Sequence, residues 1–157
     1  MTKEEYGDRF KDHLLEQYKL YVKMADNVSS RRAQTNIFYI SLLSGLLAVL
    51  SMAYKGGTPH DTPNLVFLAA VLGIILCCVW SVNIRSYRQL NSGKFKIIHA
   101  MEQRLPFPCY DMEWEILGEG KEGEKYLQLT RVEQYIPAIL AVPYLILIIY
   151  FLCTVVC

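Results

Sequence analysis

Three long apolar blocks without a charged residue constrain this chain more than any other feature of its sequence. They cover residues 37–53, 64–83 and 135–157. A helix needs about 20 mostly apolar residues to cross the hydrocarbon core of a bilayer, and about 17 are tolerated. Each block meets this requirement. The sequence therefore predicts an all-α membrane protein with three transmembrane helices and long cytoplasmic helical extensions.

The distribution of Lys and Arg predicts how the chain is oriented in the membrane. Residues 1–36 contain seven of these residues, residues 54–63 contain one, and residues 84–134 contain eight. Because segments rich in Lys and Arg stay in the cytoplasm, the N-terminus is expected inside and the C-terminus outside. Four segments follow: a cytoplasmic helical arm (1–36), a transmembrane hairpin (37–83), a cytoplasmic helix with Pro/Gly loops (84–134) and a C-terminal transmembrane helix (135–157).

Ionisable residues and cysteines argue against several classes of function. The three apolar blocks contain no Asp, Glu, Lys, Arg or His, although such groups inside the membrane mark ion-coupled transporters and pumps. A net charge of +1 does not indicate nucleic-acid binding, and the five cysteines do not form a metal-binding pattern. His99 and Glu102 lie one helical turn apart, near Asp111, and are interpreted as a surface pair. No enzyme activity, metal or cofactor is expected.

The N-terminal arm carries an apolar repeat with the spacing of a coiled coil. Successive members lie four or three residues apart, and no Pro interrupts the chain between this repeat and the first apolar block. One helix is therefore expected from about Asp8 to Ala53. An apolar stripe in water needs a partner, either the same chain or a second copy, and the pattern favours a second copy. We call this repeat the N-terminal seam: Leu14, Tyr18, Tyr21, Ala25 and Val28.

A second helix is expected to leave the membrane after the second apolar block. Phe95, Ile98 and Met101 continue a helical spacing beyond the span, until Pro106 and Pro108 end it. These apolar residues are expected to contact the N-terminal seam, both within one protomer and between protomers. The segment from residue 86 to residue 107 is therefore interpreted mainly as part of an oligomer interface.

Small residues recur on one face of each of the first two spans. Ser41 and Gly45 belong to such a stripe in the first span, and Gly73 belongs to one in the second. Small side chains let helices approach closely where lipid supplies no hydrophobic driving force. These three residues are therefore further candidates for the oligomer interface.

Basic and aromatic residues near the ends of the spans predict contacts with the membrane surface. Four basic residues follow the second span closely, and they could bind anionic lipid headgroups: Arg85, Arg88, Lys94 and Lys96. Trp80, Tyr54 and Tyr135 lie near the predicted interfaces, where aromatic side chains act as anchors.

Several motifs resemble a known family. The segments "LLEQYKLYVKMADNVSSRRAQTN", "SYRQLNSGKF", "LPFPCYDMEW" and "YLQLTRVEQYIP" resemble the RipA-type family of small octameric bacterial membrane proteins. This resemblance covers nearly the whole chain and implies a homo-octamer in the bacterial cytoplasmic membrane, with a link to stress adaptation and no established enzyme activity. The arm and hairpin are also similar to the two-span SLATT-type membrane effectors, but the third span departs from that pattern.

Two functions are compatible with these features. The first is a structural or regulatory homo-oligomer of the bacterial inner membrane, active in envelope or stress adaptation. The alternative is an oligomeric pore or channel that is gated from its cytoplasmic helices. The expected partners are further copies of the chain and membrane lipids, together with an unidentified cytosolic partner, but not nucleic acid.

Overall fold

Helices form the fold throughout the described part of the chain. The computed structural model describes residues 6–55, 62–118 and 129–156, and these residues contain no β-strand. The helices are α1 (Phe10–Lys55), α2 (Thr62–Glu102), α3 (Cys109–Ile116), α4 (Leu129–Glu133) and α5 (Ile136–Val156). The predicted all-α class is confirmed. Residues 56–61, which join the two spans of the predicted hairpin, and residues 119–128 of the predicted Pro/Gly loops lie outside the described residues.

The first two helices are continuous, as their sequences predict. Gly7 adopts a positive φ of 90°, which glycine tolerates best, and the chain then turns into α1, where the Phe10 N–H donates to the Gly7 carbonyl over 3.1 Å. Helix α1 contains no Pro and extends for 46 residues, matching the predicted single helix. Helix α2 likewise extends past its apolar block to Glu102, and Pro106 and Pro108 lie in the turn that follows.

Three helices are long and apolar enough to cross a membrane. The candidate spans lie within Phe10–Met52, Asn64–Glu102 and Ile136–Thr154. These are the three helices that contain the uncharged blocks of the sequence. Helix α5 accommodates Pro143 in its interior.

The chain divides into two compact units. Unit 1 comprises Met1–Arg32 and Tyr87–Leu129, and unit 2 comprises Ala33–Ser86 and Thr130–Cys157. Unit 1 therefore contains the first part of α1, the last part of α2, and α3. Unit 2 contains the remainder of α1 and α2, together with α4 after Leu129 and α5, and it includes the three uncharged blocks.

The core of unit 2 joins residues from all three apolar helices. Its buried members are mainly large side chains: Tyr39, Leu43, Leu50, Ala70, Cys77, Trp80, Ile84 and Tyr144. In a membrane, lipid solvates apolar side chains as well as the protein does, so burial alone does not drive these helices together. Close packing and interhelical hydrogen bonds must stabilise this unit instead, and both occur at specific residues.

Candidate assembly and lipid-binding sites

The N-terminal seam faces helix α2 of the same chain in unit 1. Leu14 and Ala25 are buried, and Tyr18, Tyr21 and Val28 are partly buried. On α2, Tyr18 contacts Glu102 and Tyr21 contacts Lys94. The expected contact between this seam and α2 thus forms within the protomer, and contact with a second copy stays a prediction.

The opposing residues on α2 are also engaged within the protomer. Ile98 is completely buried, and Phe95 and Met101 are partly buried. The Phe95 ring meets the ring of Tyr110 edge to face, with a distance of 5.7 Å between centroids. Leu14 and Ile98 were expected at an oligomer interface, but their surfaces are already covered inside the protomer.

Glu102 is the centre of a polar network that joins three helices of unit 1. Only 1% of this residue is exposed. Its Oε1 accepts hydrogen bonds from the Tyr18 hydroxyl (2.8 Å) and the Tyr110 N–H (3.0 Å), and its Oε2 accepts one from the Asp111 N–H (3.1 Å). Tyr110 and Asp111 belong to the first turn of α3, whose N–H groups have no partner inside the helix. The carboxylate of Glu102 therefore caps α3 and ties it to α1.

Burial and this carboxylate both change the acid–base behaviour of Tyr18. Burial is the larger cause that raises the pKa of the Tyr18 phenol, and the hydrogen bond to Glu102 raises that pKa further. Both effects favour the neutral hydroxyl, which is the form that can donate to the carboxylate.

His99 and Asp111 form a partly exposed pair beside this network. Nδ1 of His99 lies 3.2 Å from Oδ1 of Asp111, and Nε2 of Gln103 donates to Oδ2 of Asp111 over 3.2 Å. The interpretation of Glu102 as the surface partner of His99 is wrong, because Glu102 is buried and His99 pairs with Asp111. Among the described residues, no group of three or more His, Cys, Asp or Glu side chains could hold a metal ion.

The four candidate lipid-binding residues do not share one environment. Arg85, Arg88 and Lys96 are exposed, as a role at lipid headgroups requires. Lys94 is only 8% exposed, and its ammonium group lies 4.9 Å from the centroid of the Tyr21 ring. Such a cation–π contact is stronger in a desolvated site than on the surface. Lys94 thus joins α2 to α1 in this structure and does not face outward as expected.

Two hydrogen bonds in unit 2 join α1 to α2. The indole N–H of Trp80 donates to Oδ1 of Asn36 over 2.9 Å, and the amide of Asn83 donates to the Tyr39 hydroxyl over 3.0 Å. The rings of Tyr39 and Trp80 are stacked with 5.6 Å between their centroids. Trp80 is completely buried, so the prediction that it anchors the chain at the membrane surface is wrong. Tyr135 is 68% exposed, and the Tyr54 side chain lies outside the described part.

Tyr144 of α5 joins the third helix to the other two. Its hydroxyl donates to the Leu43 carbonyl over 2.6 Å, and its ring covers Gly73 so closely that a methyl group there would overlap it. Gly73 was expected at an oligomer interface, but its open side is filled by Tyr144 of the same chain. A small residue at position 73 is thus needed within the protomer.

Ser41 and Gly45 have a different environment from Gly73. Both residues are exposed, and no atom lies within 4 Å of a Cβ built at Gly45. Among the small residues proposed for the interface, these two remain free to contact another copy. Their role in assembly stays a prediction.

Sequence patterns did not reveal the polar residues that organise the two units. Glu102, Asn36 and Tyr144 each use a polar atom to bind an element distant in the chain. Tyr144 lies within an apolar run and Asn36 directly precedes an apolar block, so a polar atom in a costly position is the signal that could have singled them out. Their partners could not be read from spacing, because these contacts depend on how the helices meet.

Comparison with known families identifies the chain. The sequence profile of the Octameric membrane protein family (8xMP) matches residues 15–153. Neither the comparison with curated proteins nor the one with solved structures gives a match. The match includes all three apolar blocks almost entirely, and the chain belongs to the octameric membrane protein family. The resemblance to octameric membrane proteins is thereby confirmed, whereas the similarity to SLATT-type effectors is not shown.

Proposed function

We propose that this chain forms a homo-octamer in the bacterial inner membrane and acts there as a structural or regulatory assembly, in envelope or stress adaptation. The observation that carries this proposal is membership of a family of octameric membrane proteins. In this arrangement unit 1 and the N-terminus lie in the cytoplasm, and the C-terminus lies outside. The octamer works without enzymatic activity and without a cofactor.

The roles of the polar side chains support a non-enzymatic assembly. Glu102 binds three donors of its own chain, Lys94 contacts Tyr21, and His99 pairs with Asp111. These side chains hold helices of their own chain together, and the three apolar blocks contain no Asp, Glu, Lys, Arg or His. Such a protomer is suited to present fixed surfaces to copies of itself and to a cytosolic partner.

Copy number and orientation are tested separately. Native mass measurement of the full chain in lipid nanodiscs should give eight copies, and a monomer would contradict the proposal.

For orientation, a reporter that is active only in the cytoplasm is fused after Cys157 and should be inactive. The same reporter fused to the N-terminus should be active, because the Lys and Arg residues concentrate in segments 1–36 and 84–134.

The physiological role is tested by removing the gene and restoring variants of it. Loss of the protein should sensitise cells to envelope-damaging agents, and the wild-type chain should restore growth. A variant that inserts in the membrane but does not form octamers should fail to restore it. Full restoration by a monomeric variant would contradict a role that depends on assembly.

A pore is the second candidate, and one observation favours it. Ser41, Ser44 and Ser51 are all exposed on the part of α1 that belongs to unit 2. Hydroxyl groups on an exposed face could line a water-filled path at the centre of a ring, which a purely apolar wall would not keep hydrated. Planar-bilayer recording tests this: unitary currents that disappear in Ser41→Leu would favour the pore, and absence of currents from intact octamers would exclude it.

A further inference from the structure

Helix α2 has a second apolar face in unit 1, separate from the face that contacts α1. Its members lie three, four and three residues apart, as in the seam of a coiled coil. Leu90 is 49% exposed and Ile97 is 43% exposed. Gly93 lies between them and faces open space, because a methyl group at this position would have no atom within 4 Å. Large and small residues thus alternate along an uncovered face, which we call the outer seam: Leu90, Gly93, Ile97 and Ala100.

A complementary apolar surface lies on and before α3. No residue of this helix is buried, although Glu102 holds its first turn in place. Phe107 is 59% exposed, Met112 is 41% exposed and Ile116 is 72% exposed. Met112 and Ile116 are four residues apart and so lie on the same face of the helix. We call these three residues the α3 patch.

The charges around the two surfaces are opposite in sign. Helix α3 contains Asp111, Glu113 and Glu115 and no basic residue. Exposed Lys96 and Arg104 lie beside the outer seam and just past its end, and α2 contains no acidic residue between Thr62 and Met101. An acidic, apolar patch therefore matches a basic, apolar seam, and such complementarity favours one pairing over others.

The two surfaces lie on different sides of unit 1. Helix α3 is held to α2 through Phe95, His99 and Glu102. At about 100° per residue, these positions lie on roughly the opposite side of α2 from Leu90 and Ile97. The outer seam of one copy is therefore free to meet the α3 patch of the next copy. A contact between two different surfaces can repeat around a closed ring.

We propose that the outer seam of one copy binds the α3 patch of a neighbouring copy, and that this head-to-tail contact joins the cytoplasmic units of the octamer. This inference rests on the proposed homo-octamer. Lipid cannot cover these surfaces if unit 1 lies in water, where exposed apolar area of this kind marks a protein contact. A second copy of the chain is a partner that presents a surface of the opposite charge to each of these two surfaces.

Cross-linking between two kinds of copy tests the contact directly. One full-length chain carries Ile97→Cys and the other carries Met112→Cys. Both also carry Cys→Ser at the exposed native thiols Cys78, Cys109 and Cys153, and at Cys157. In mixed octamers, a short water-soluble bis-maleimide should link the two kinds of chain. Octamers of either variant alone should give little product. In the control, Leu20→Cys replaces Ile97→Cys, since Leu20 is 59% exposed on α1 and lies outside both surfaces; it should not cross-link with Met112→Cys.

Charge exchange tests whether the acidic and basic rims recognise each other. Lys96→Glu with Arg104→Glu should lower the cross-linking yield by roughly fivefold or more, because like charges then face each other. Adding Glu113→Lys with Glu115→Lys to the neighbouring copy should restore the yield. Native mass on the same samples separates the outcomes. Octamers without mixed cross-links, or with links only between identical positions, would overturn this inference alone, whereas the absence of octamers would overturn the proposed function.

Discussion

The Tyr18 hydroxyl and the Glu102 carboxylate are 84 positions apart in the chain but form a hydrogen bond of 2.8 Å. The same Glu102 oxygen accepts the Tyr110 N–H, and the other oxygen accepts the Asp111 N–H. One buried carboxylate thus connects α1, α2 and the start of α3. The position of α3 in unit 1 depends on it, and with α3 the surface that we propose for contact between copies.

Removing this carboxylate should loosen unit 1. In Glu102→Ala the three donors lose their acceptor in a site that water reaches poorly, and we expect a loss of about 2–4 kcal/mol in the free energy of unfolding. Hydrogen exchange should accelerate at the amides of Tyr110 and Asp111 before it does so in unit 2. Thermal unfolding and hydrogen-exchange mass spectrometry in nanodiscs measure the two effects.

Glu16→Ala provides a matched control for this prediction. Glu16 pairs with Lys19 over 3.0 Å, but both side chains are largely exposed, at 70% and 60%. An exposed ion pair contributes about 0–1 kcal/mol, so the control should leave exchange at α3 unchanged. Equal effects of the two substitutions would show that Glu102 does not hold α3.

Tyr18 should ionise at a higher pH than exposed tyrosines. Burial and the bond to Glu102 raise its pKa above the ordinary value of 10.0. A group with a raised pKa in the folded state stabilises the fold fully below its unfolded-state pKa, and this contribution is lost as the pH rises through the folded-state value. The stability advantage of wild type over Tyr18→Phe should therefore be constant from neutral pH to about pH 10 and shrink above it.

Phenolate absorbance measures the same property directly. The difference between the titrations of wild type and Tyr18→Phe should show one tyrosine that ionises above pH 10. A Tyr18 titration at or below pH 10 would contradict the buried hydrogen bond.

Trp80 should be shielded from lipid. The chain contains two tryptophans, so Trp114→Phe leaves Trp80 as the single indole fluorophore. Because Trp80 is completely buried and its N–H binds Asn36, lipids with brominated acyl chains should quench its fluorescence only weakly. Strong quenching at any bromine depth would contradict this position and restore the expected role as a surface anchor. In the same Trp114→Phe background, Trp80→Phe together with Val79→Trp, at a 46% exposed position, provides the lipid-facing reference.

The continuous helices were predictable because local sequence patterns indicate where each helix extends and where it ends. Uncharged blocks define the spans, and the absence of Pro between residues 10 and 55 predicts one helix across the boundary of the first span. Pro106 and Pro108 predict where α2 ends, since each disfavours helix at the preceding residue. These signals depend on neighbours in the chain and not on tertiary contacts.

The partners of the apolar and polar residues were less predictable. Heptad spacing shows that the N-terminal seam needs a partner but does not say which chain supplies it. Lys94 resembles a surface residue in sequence, yet Tyr21 of the same chain covers its ammonium group. Gly73 and Gly45 look alike in their stripes, and only the position of Tyr144 distinguishes them. Such differences arise from side chains that are distant in the sequence.

The contrast between these two glycines gives a test of how the spans meet. In Gly73→Ala the new methyl group overlaps the Tyr144 ring, which is fixed by its bond to Leu43, so the ring or the helix must shift. We expect a loss of about 1–3 kcal/mol, as for other overpacked sites. Gly45→Ala places its methyl group in open space and should cost much less. Thermal unfolding of both variants in nanodiscs measures the difference.

A double-mutant cycle assigns the loss to the contact itself. Tyr144→Leu removes both the ring and the hydroxyl, so Gly73→Ala should cost much less in that background than in wild type, with a coupling of about 0.5–3 kcal/mol. Additive effects would show that α5 does not cover Gly73. Gly45→Ala should be independent of Tyr144→Leu. If Gly45→Ala is nevertheless as costly as Gly73→Ala in the octamer, a neighbouring copy covers Gly45, because the protomer itself leaves that face of α1 open.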